Sequence, residues 1–431
     1  MKNDKVKETL WKLVDDEKDE LLQICADLIK VPSVTPSQCE SILDHVTSFL
    51  TVCGIDHKVV RGTDNVPAII AEVGSDESPV AIIDGHNDVV TPGDLSKWRF
   101  SPYSGNITDT QIQGRGTSDM KCGVGLALFI AKKIKEKKLK LNGKLRLFIV
   151  HDEESGGERG SMYLIDHGYA DDCDFCMIPE PTSRNYVEVG QKGSIRMKVV
   201  SHGTPVNGSI INYVGKNAVF EMIKFLSKID ELCEINGIYY EDQKQVIADS
   251  KRIIRECFGE EGVENAIDRV NVNIMDIDGG KSCTMTPEIC TAMVGMLVPV
   301  GIKTQQIVDK VEEIRVREGL EDIEITYPRL KDGACTNVNS DVVKSTVENA
   351  TKIKGETVYP AYQWATSDAK YFRYKNIPTI QYGPANSLGI HSYNEDVEIK
   401  DVMDCTKTYF AVLEDLIGFD EASVLSAAKN E

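Results

Sequence analysis

The stretch Val80-Ala-Ile-Ile-Asp-Gly-His-Asn-Asp88 joins a run of four apolar residues to a histidine and two aspartates. A short apolar run of this kind is typical of a buried β-strand. His86 and Asp88 then follow at the point where the strand is predicted to end. Because ligands of open α/β sheets collect at the carboxyl ends of the strands, this stretch predicts an α/β fold with a functional site at that edge.

Four further clusters of acidic residues or histidine share this setting, because each follows an apolar run or precedes a predicted helix. They are Gly114-Arg-Gly-Thr-Ser-Asp119-Met-Lys121, His151-Asp-Glu-Glu154-Ser-Gly-Gly157, Pro179-Glu180-Pro-Thr182, and Gly383-Pro384 with the later His391. A single cluster of this kind is usually only solvated surface sequence. Independent surface clusters would not nearly all follow strand-like runs, so we expect the five to converge on one crevice.

The flanking sequence alternates predicted helices and strands. Apolar residues at helical spacing predict one helix over residues 6–28 and a second over 38–53. Further strands are predicted at 57–60, 68–71, 145–150, 175–178 and 379–382, and further helices at 123–138, 340–354 and 401–417. This alternation indicates a sheet covered by helices.

A different order of elements occupies residues 194–329. Strand 195–200 and helix 217–234 come first, followed by strands 270–275 and 289–297, helix 304–318 and strand 323–327. This β-α-β-β-α-β order is the signature of a ferredoxin-like module. We therefore expect an α/β catalytic domain, with a mixed sheet covered by helices, that is formed by residues 1–193 and 330–431 and interrupted by an inserted α+β domain, 194–329.

Composition narrows the class of protein. At 431 residues the chain is long enough for two domains, and its net charge of −19 argues against a nucleic-acid surface. No apolar run approaches the roughly 18 residues of a membrane span, and residues 1–12 lack the apolar core of a signal peptide. The twelve cysteines show no repeated spacing, so reduced thiols are expected. The sequence thus predicts a cytoplasmic protein with no membrane or nucleic-acid partner.

The clusters contain the ligand types of a two-metal site. Imidazole nitrogen and carboxylate oxygen bind zinc, and cobalt or manganese also tolerate them. The candidate ligands are two histidines and three carboxylates: His86, Asp119, Glu154, Glu180 and His391. One carboxylate can bridge two ions at a separation of roughly 3.5–4 Å, and such a site lowers the pKa of a bridging water to about 7. The sequence therefore predicts two divalent ions, with zinc as the first choice.

Two neighbouring carboxylates are left for other roles. Glu153 lies beside Glu154 and is not needed as a ligand, so it can take a proton from the attacking water and pass it to the leaving amine. Asp88 lies two residues beyond His86, where its carboxylate is predicted to accept the second ring N–H of that histidine. Glu153 and Asp88 are thus the predicted catalytic residues beside the metal ligands.

At these residues the sequence resembles the acetylornithine deacetylase, succinyl-diaminopimelate desuccinylase, aminoacylase and glutamate carboxypeptidase family of di-zinc metallopeptidases. The matching motifs run across most of the chain and include Trp98-x-x-x-Pro102 and Thr366-Ser-Asp-Ala369. The resemblance implies a zinc-exopeptidase-like catalytic domain. It also implies hydrolysis of an N-acyl amino acid or a small peptide, by deacylase, dipeptidase or carboxypeptidase chemistry.

The resemblance assigns a role to each ligand as well. One ion would be held by His86 and Glu180, the other by Glu154 and His391, and Asp119 would bridge them. Glu153 would be the general base and acid. The peptide bond that follows Asp119 would be cis, and the inserted domain would serve as a lid and as the contact of a homodimer.

Four departures from the family pattern affect substrate recognition. Asn207 stands where family members carry a lid histidine that stabilises the oxyanion, although its amide could still donate a hydrogen bond. Thr284 replaces an asparagine, and Leu297 replaces an arginine that clamps the substrate carboxylate with a planar fork. Lys370 stands where arginine is frequent. We therefore expect Asn207, Thr284 and Lys370 to contact substrate by an altered set of interactions.

Two other functions remain open. The missing arginine at Leu297 favours a hydrolase of an unusual amide that lacks the usual free carboxylate. A non-catalytic binding protein that keeps the fold is the other alternative. Against it, all five ligand positions and the base position hold competent residues.

Overall fold

The computed structural model describes residues 4–35, 38–182, 185–282, 284–386 and 389–427. The chain forms two compact units. Unit 1 comprises Met1–Val189, Thr336–Ala361 and Ser367–Glu431, and unit 2 comprises Gly190–Cys335 and Tyr362–Thr366. The inserted domain that the sequence places at residues 194–329 lies within unit 2, and its role as a lid stays a prediction.

The described residues form strands and helices in alternation through most of unit 1. In chain order the strands are β1 (Asp56–Arg61), β2 (Pro67–Gly74), β3 (Val80–His86), β4 (Asn106–Ile107), β5 (Gln111–Gln113), β6 (Lys144–Val150), β7 (Phe175–Pro181), β8 (Tyr186–Gln191), β9 (Gly193–His202), β10 (Asn271–Gly279), β11 (Ile289–Val298), β12 (Glu324–Lys331), β13 (Ala334–Cys335), β14 (Tyr359–Tyr362), β15 (Thr379–Gly383) and β16 (Asp396–Glu398). The α-helices are α1 (Asp4–Asp16), α2 (Lys18–Ile29), α3 (Cys39–Val52), α4 (Cys122–Glu136), α5 (Ser161–Asp166), α6 (Ala218–Ile229), α7 (Lys244–Phe258), α8 (Asn265–Asp268), α9 (Thr304–Arg317), α10 (Asp341–Lys354), α11 (Ala369–Tyr374), α12 (Ile399–Leu416) and α13 (Glu421–Ala427).

The sheet of unit 1 is mixed, as predicted. Its strands follow the order β1-β2-β6-β3-β7-β15-β8. The central strands β6, β3, β7 and β15 are parallel, whereas β1, β2 and β8 pair antiparallel with their neighbours. His86 at the end of β3 is in register with Val150 at the end of β6. The carboxyl ends of the parallel strands therefore meet along one edge, where four of the five polar clusters are found.

Helix α4 packs closely against this sheet because it begins with small residues. A Cβ atom on Gly123 would lie 2.3 Å from the carbonyl oxygen of Pro179 in β7, and one on Gly125 would lie 2.6 Å from Sγ of Cys25. A larger residue at position 123 would therefore push the helix away from the sheet, and one at position 125 would push it away from α2. This close approach places the start of α4, and the turn before it, next to the ends of the parallel strands.

The helix predicted over residues 6–28 is in fact two helices, α1 and α2, so that prediction is wrong. The chain leaves the helical conformation at Glu17, where φ is −105° and ψ is 24°. Apolar residues continue at helical spacing across the break, because both helices bury one face, and no proline or glycine marks it. The carboxylate of Glu17 accepts hydrogen bonds or ion pairs from Lys133 and Lys137, at 2.6 Å and 2.7 Å.

Helix α7 is absent from the predicted elements. Its buried residues are Val246, Ile247, Ile253 and Ile254, with Ser250 between them. They do recur at helical spacing, but the surrounding charged residues outnumber them, and the segment reads as a charged loop. The apolar face of an amphipathic helix can be narrow when only one side is covered.

Unit 2 contains the six elements of the predicted β-α-β-β-α-β module. Its four-stranded sheet has the order β10-β11-β9-β12, and each neighbouring pair is antiparallel. Alternate side chains of β9 and β11 form an apolar core with residues of α6 and α9. The two helices therefore cover one face of the sheet. Among the described residues, no helix of either unit is long and apolar enough to cross a membrane.

Candidate metal centre

The structure gathers the five predicted metal ligands at one edge of the unit 1 sheet. Each is placed by the end of a strand or by the turn before α4. His86 ends β3, Glu154 follows β6, Glu180 lies in β7, His391 follows β15, and Asp119 lies in the turn before α4. Ligand atoms of these residues form two groups of three, and Asp119 belongs to both.

Asp119 presents one carboxylate oxygen to each group. Its Oδ1 lies 3.0 Å from Nε2 of His86, which is itself 3.6 Å from Oε1 of Glu180. Its Oδ2 lies 3.2 Å from Nε2 of His391, which is 3.1 Å from Oε1 of Glu154. A carboxylate that faces two separate sets of nitrogen and oxygen donors is the arrangement that two neighbouring divalent ions require.

The electrostatics of the cluster also suit cations. Burial raises the pKa of Glu180, and the nearby carboxylate of Asp119 raises it further. Burial likewise raises the pKa of Glu154, again with a contribution from Asp119. Hydrogen bonds to Asp119 and Glu154 raise the pKa of His391 to about 10. The clustered carboxylates therefore favour positive charge nearby. Bound divalent ions would provide more positive charge than protonated histidine does.

The turn that carries Asp119 has two unusual conformational features. The peptide bond between Asp119 and Met120 is cis, which confirms the expectation from the resemblance. Gly116 adopts a φ of 87°, and a Cβ atom there would lie 2.8 Å from Cγ1 of Val89. Only glycine therefore fits this position without displacing its neighbours.

A third acidic group of the structure has no comparable arrangement. It consists of Glu17, Glu20 and Glu136. Lys132 and Lys133 form ion pairs with these carboxylates. The lysines already neutralise the acidic charge, so this group is a salt-bridge network at the surface of the helical layer.

Asp88 organises the turn after β6. Its Oδ1 and Oδ2 accept the main-chain N–H groups of Glu153 and Glu154, each at 3.2 Å. The predicted contact to His86 differs in detail: Nδ1 of His86 is 2.9 Å from the carbonyl oxygen of Asp88 and 3.5 Å from its Oδ1. The main-chain oxygen is the nearer acceptor, because the carboxylate is turned towards the two main-chain donors. Asp88 therefore connects the histidine at the end of β3 to the predicted base.

The carboxylate of Glu153 is surrounded by other acidic groups. Burial raises its pKa well above the ordinary value, and the carboxylate of Asp368 adds to the increase. Asp368 is itself 2% exposed and lies against Gly157, where a Cβ atom would fall 1.7 Å from its Oδ1. Asp368 lies in the Thr366-Ser-Asp-Ala369 motif, but nothing in the sequence places that motif behind Glu153.

Glu395 is a residue of the site that sequence reasoning missed. Its side chain is fully buried, and Oε1 accepts main-chain N–H groups of Gly116, Ser118 and Asp119 at 3.1, 3.0 and 3.2 Å. Its Oε2 pairs with Nη1 of Arg115 at 2.5 Å. Glu395 thus joins the turn of Asp119 to the segment of His391, four residues upstream. In the sequence it is one acidic residue in a polar run, which carries no signal of burial.

The three predicted substrate residues have different settings. Asn207 and Thr284 lie in adjacent exposed loops of unit 2, where the main-chain N–H of Gly208 donates to the carbonyl oxygen of Thr284 at 2.9 Å. Lys370, in contrast, is 4% exposed, and its ammonium donates to the carbonyl oxygen of Ser367 at 2.8 Å. The ammonium of Lys370 is thus buried and hydrogen-bonded within the protein. Its contact with substrate stays a prediction that the packing does not favour.

Comparisons with known proteins bear on this site. The family model described as Peptidase family M20/M25/M40 matches residues 82–415 of the chain. The chain is 26% identical over 380 residues to the probable succinyl-diaminopimelate desuccinylase of Staphylococcus epidermidis, covering 87% of this chain and 92% of that protein. It is 27% identical over 404 residues to the succinyl-diaminopimelate desuccinylase of Ehrlichia canis, covering 90% of this chain and 96% of that protein.

A solved structure supports the fold independently. The M20 family metallo-carboxypeptidase Sso-CP2 from Sulfolobus solfataricus matches with a TM-score of 0.79 and 20% identity, covering 92% of this chain and 98% of that chain. At this identity the likeness shows the fold alone. The family model, in contrast, spans all five candidate ligands and the neighbouring Glu153.

Proposed function

The chain belongs to peptidase family M20/M25/M40 and is a metal-dependent hydrolase, and we propose that it cleaves the amide bond of an N-acyl amino acid or a small peptide. The observation that carries this proposal is the carboxylate of Asp119, whose two oxygens lie 3.0 and 3.2 Å from ring nitrogens of two different histidines. The names of the desuccinylase relatives support an acylated amino acid as the substrate class.

The proposed ligands are divided between two ions. His86 and Glu180 would hold one ion, Glu154 and His391 the other, and Asp119 would bridge them. Zinc is the first choice for this set of nitrogen and oxygen donors, and cobalt or manganese would also fit. When bound, such a pair polarises the scissile carbonyl and makes a nucleophile available at neutral pH.

Glu153 is the proposed proton carrier. A carboxylate in this position would accept a proton from the attacking water and deliver it to the nitrogen of the leaving amine. The main-chain contacts of Asp88 to Glu153 and Glu154 support the proposal, because they hold the base and a ligand in one rigid turn. Asp88 would then be a positioning residue, which orients the base and does not itself exchange protons with substrate.

The test is a hydrolysis screen of acetylated, succinylated and dipeptide substrates with metal-loaded protein. We expect Glu153→Ala to lower kcat by about 10²–10⁴-fold, the usual contribution of a general base. Its metal content, measured by elemental analysis, should stay at that of the wild type. Glu158→Gln, in the same loop, is the matched control and should retain activity. Full activity of Glu153→Ala would refute the mechanism, and a wild type without bound metal would refute the centre itself.

Asn207 is the proposed donor to the oxyanion. Its side-chain oxygen accepts hydrogen bonds from the main-chain N–H and the hydroxyl of Ser209, at 3.0 and 2.8 Å. Both contacts use the oxygen, which leaves the amide nitrogen as the donor. Thr284, in the adjacent loop, is proposed as a second polar contact to substrate.

A homodimer through unit 2 is proposed as the assembly. Strand β10 lies at the edge of its sheet, and Ile274, Met275 and Ile277 are between 44% and 51% exposed. Helix α6 adds Phe220 and Ile223, at 61% and 53%. An unpaired, apolar edge favours antiparallel pairing with the same edge of a second copy. In sedimentation experiments Ile277→Lys should give monomers, while Val52→Lys in unit 1 should leave the assembly unchanged.

The cytoplasmic location expected from the sequence stays a prediction. So does the alternative of an amide substrate without a free carboxylate. Hydrolysis rates of an N-acetyl amino acid and of its C-terminal carboxamide, measured side by side, separate that alternative from a carboxylate-bearing substrate.

A further inference from the structure

The two histidines of the metal centre are held in different ways. The side chain of His86 is 1% exposed, and its Nδ1 lies 2.9 Å from the carbonyl oxygen of Asp88. The side chain of His391 is 48% exposed, and its Nε2 faces Asp119 and Glu154. Among the residues that the structure describes, none forms a hydrogen bond with Nδ1 of His391. The position of this ring therefore depends on the main chain that carries it.

That main chain is a loop with two residues in the left-handed region. The φ angles of His391 and Asn394 are 58° and 61°. Histidine and asparagine adopt this region more readily than most residues, but such a conformation persists only where the surrounding contacts favour it. Groups that do not touch the metal usually orient a metal-binding histidine. The contacts of this loop therefore decide where the ring of His391 points.

The segment that follows β3 supplies these contacts. The main-chain N–H of Arg99 donates to Oδ1 of Asn394 at 2.6 Å, and the side-chain amide of Asn394 donates to the carbonyl oxygen of Lys97 at 3.4 Å. The main-chain N–H of Asp94 donates to the hydroxyl of Tyr393 at 3.4 Å. Two consecutive residues of the loop are thus held by one segment.

Trp98 packs between this segment and the loop. It is 9% exposed, its ring meets that of Tyr393 edge to face with centroids 6.2 Å apart, and its indole N–H donates to the carbonyl oxygen of Pro92 at 2.9 Å. Edge-to-face packing favours one relative orientation of the two rings. The guanidinium carbon of Arg115 lies 5.2 Å from the centre of the Trp98 ring, so Trp98 is also a neighbour of the ion pair between Arg115 and Glu395.

We propose that Trp98 and Asn394 are positioning residues, which hold His391 where it can bind a metal ion. The inference rests on the proposed two-metal hydrolase. It gives a role to the sequence motif that begins at Trp98, to which the proposed mechanism assigns none. Trp98 acts through the ring of Tyr393, and Asn394 acts through its hydrogen bonds to the segment that follows β3.

The two ligand groups distinguish a role at His391 from a role at the bridging carboxylate. His391 belongs to one group only, whereas Asp119 belongs to both. A less well held His391 should therefore weaken the binding of one ion alone. Damage to the turn of Asp119, which Glu395 and Arg115 support, should weaken the binding of both ions.

The experiment is a titration of full-length, metal-free protein with Co²⁺, followed by its absorption spectrum. The wild type should bind two ions. Asn394→Gly keeps the left-handed conformation but loses the side chain, and it should bind one ion about 10–100-fold more weakly, the usual effect of losing a group that orients a ligand. Asn394→Asp keeps an acceptor for the N–H of Arg99 and should bind both ions within a factor of three of the wild type. His391→Ala identifies the ion, because it should lose the same absorption band.

Trp98→Ala should weaken the same ion, and Trp98→Phe, which keeps an aromatic ring against Tyr393, should restore most of the affinity. Leu95→Ala is the matched control, since Leu95 lies in the same segment and is 62% exposed. It should leave both affinities within a factor of two. If Trp98→Ala does not fold, Asn394→Gly, at a partly exposed position, decides the question.

Three outcomes would overturn the inference. An equal loss of both ions in Asn394→Gly would assign the effect to the turn of Asp119. Wild-type affinity for both ions in Asn394→Gly and in Trp98→Phe would show that the loop needs neither contact, and it would leave the hydrolase proposal intact. A wild type that binds neither Co²⁺ nor Zn²⁺ would refute the metal centre, and the proposed function and the inference would fail together.

Discussion

Glu395 accepts three main-chain N–H groups of the turn that carries Asp119 and pairs with Arg115. A concave set of main-chain N–H groups is an anion-binding nest, and here a side chain of the protein fills it. We expect Glu395→Gln to weaken metal binding by about 10–100-fold, the usual effect of losing a residue that orients a ligand. Titration of metal-free protein with zinc or cobalt ions measures this.

The exposed Glu398, three residues further along the chain at the end of β16, supplies the control. Glu398→Gln should bind metal as the wild type does. Circular dichroism and a thermal melt of the metal-free variants show whether Glu395→Gln is folded. If a folded Glu395→Gln protein bound metal with wild-type affinity, the hydrogen bonds of Glu395 would support the turn before α4 without orienting Asp119.

At the scale of elements, α1 is joined to α12 by a buried ion pair. Nζ of Lys7 lies 2.6 Å from Oδ1 of Asp415, and both side chains are at most 3% exposed. Burial opposes ionisation of Asp415, but hydrogen bonds from Lys7, Ser345 and Asn349 lower its pKa below the ordinary value. Removing one partner of a buried pair leaves the other charge uncompensated. We therefore expect Lys7→Met to lower the free energy of unfolding by about 3–5 kcal/mol in urea titrations at neutral pH.

The pH dependence of this effect follows from the direction of the pKa shift. Because the pKa of Asp415 is lowered in the folded state, its contribution is present above the pKa of the unfolded carboxyl and is lost as the pH falls through the folded value. The difference between Lys7→Met and the wild type should therefore shrink in acid. Lys5→Met, in the same helix, removes an exposed pair with Glu421 and should change stability by less than about 1 kcal/mol. A constant difference at all pH values would contradict the role of the ion pair.

At the scale of the whole molecule, all five candidate metal ligands belong to unit 1. A ligand that binds only the folded state stabilises it, by about 2.7 kcal/mol when present at 100 times its dissociation constant. Zinc should therefore raise the unfolding temperature of unit 1 in calorimetry, and a chelator should reverse the shift. Any separate transition of unit 2 should not move. Unchanged melting curves on addition of zinc, cobalt and manganese would contradict the metal centre.

Much of the site could be predicted from the sequence, because its ligands follow parallel strands. His86 ends β3 and Glu180 lies near the end of β7, and apolar runs of strand length mark both. Burial of a strand on both faces gives a continuous apolar run that is visible locally. The order of elements in unit 2 is predictable from a different local pattern, since β9 and β11 are covered on one face and alternate buried and exposed residues.

Other features depend on contacts between distant segments. The break at Glu17 lacks a local signal, and the helical spacing of α7 is obscured by the charged residues around it. The roles of Glu395 and Asp368 depend on residues more than 200 positions away. Asp88 lies two residues beyond His86, but its carboxylate is turned towards the main chain of Glu153, which only packing of β3 against β6 brings near.

The sequence alone therefore determined the fold class and the candidate ligands, because hydrophobic periodicity and metal-ligand chemistry are properties of short segments. The class of reaction followed from the resemblance of the sequence motifs to a known family. The tertiary structure decided which side chains share a row or a turn. Strand register pairs Arg196 with Arg329, and the path of the chain brings Glu395 to the turn of Asp119. The strand register and the path of the chain are set by the free energy of packing the whole sheet, which cannot be read from any single segment.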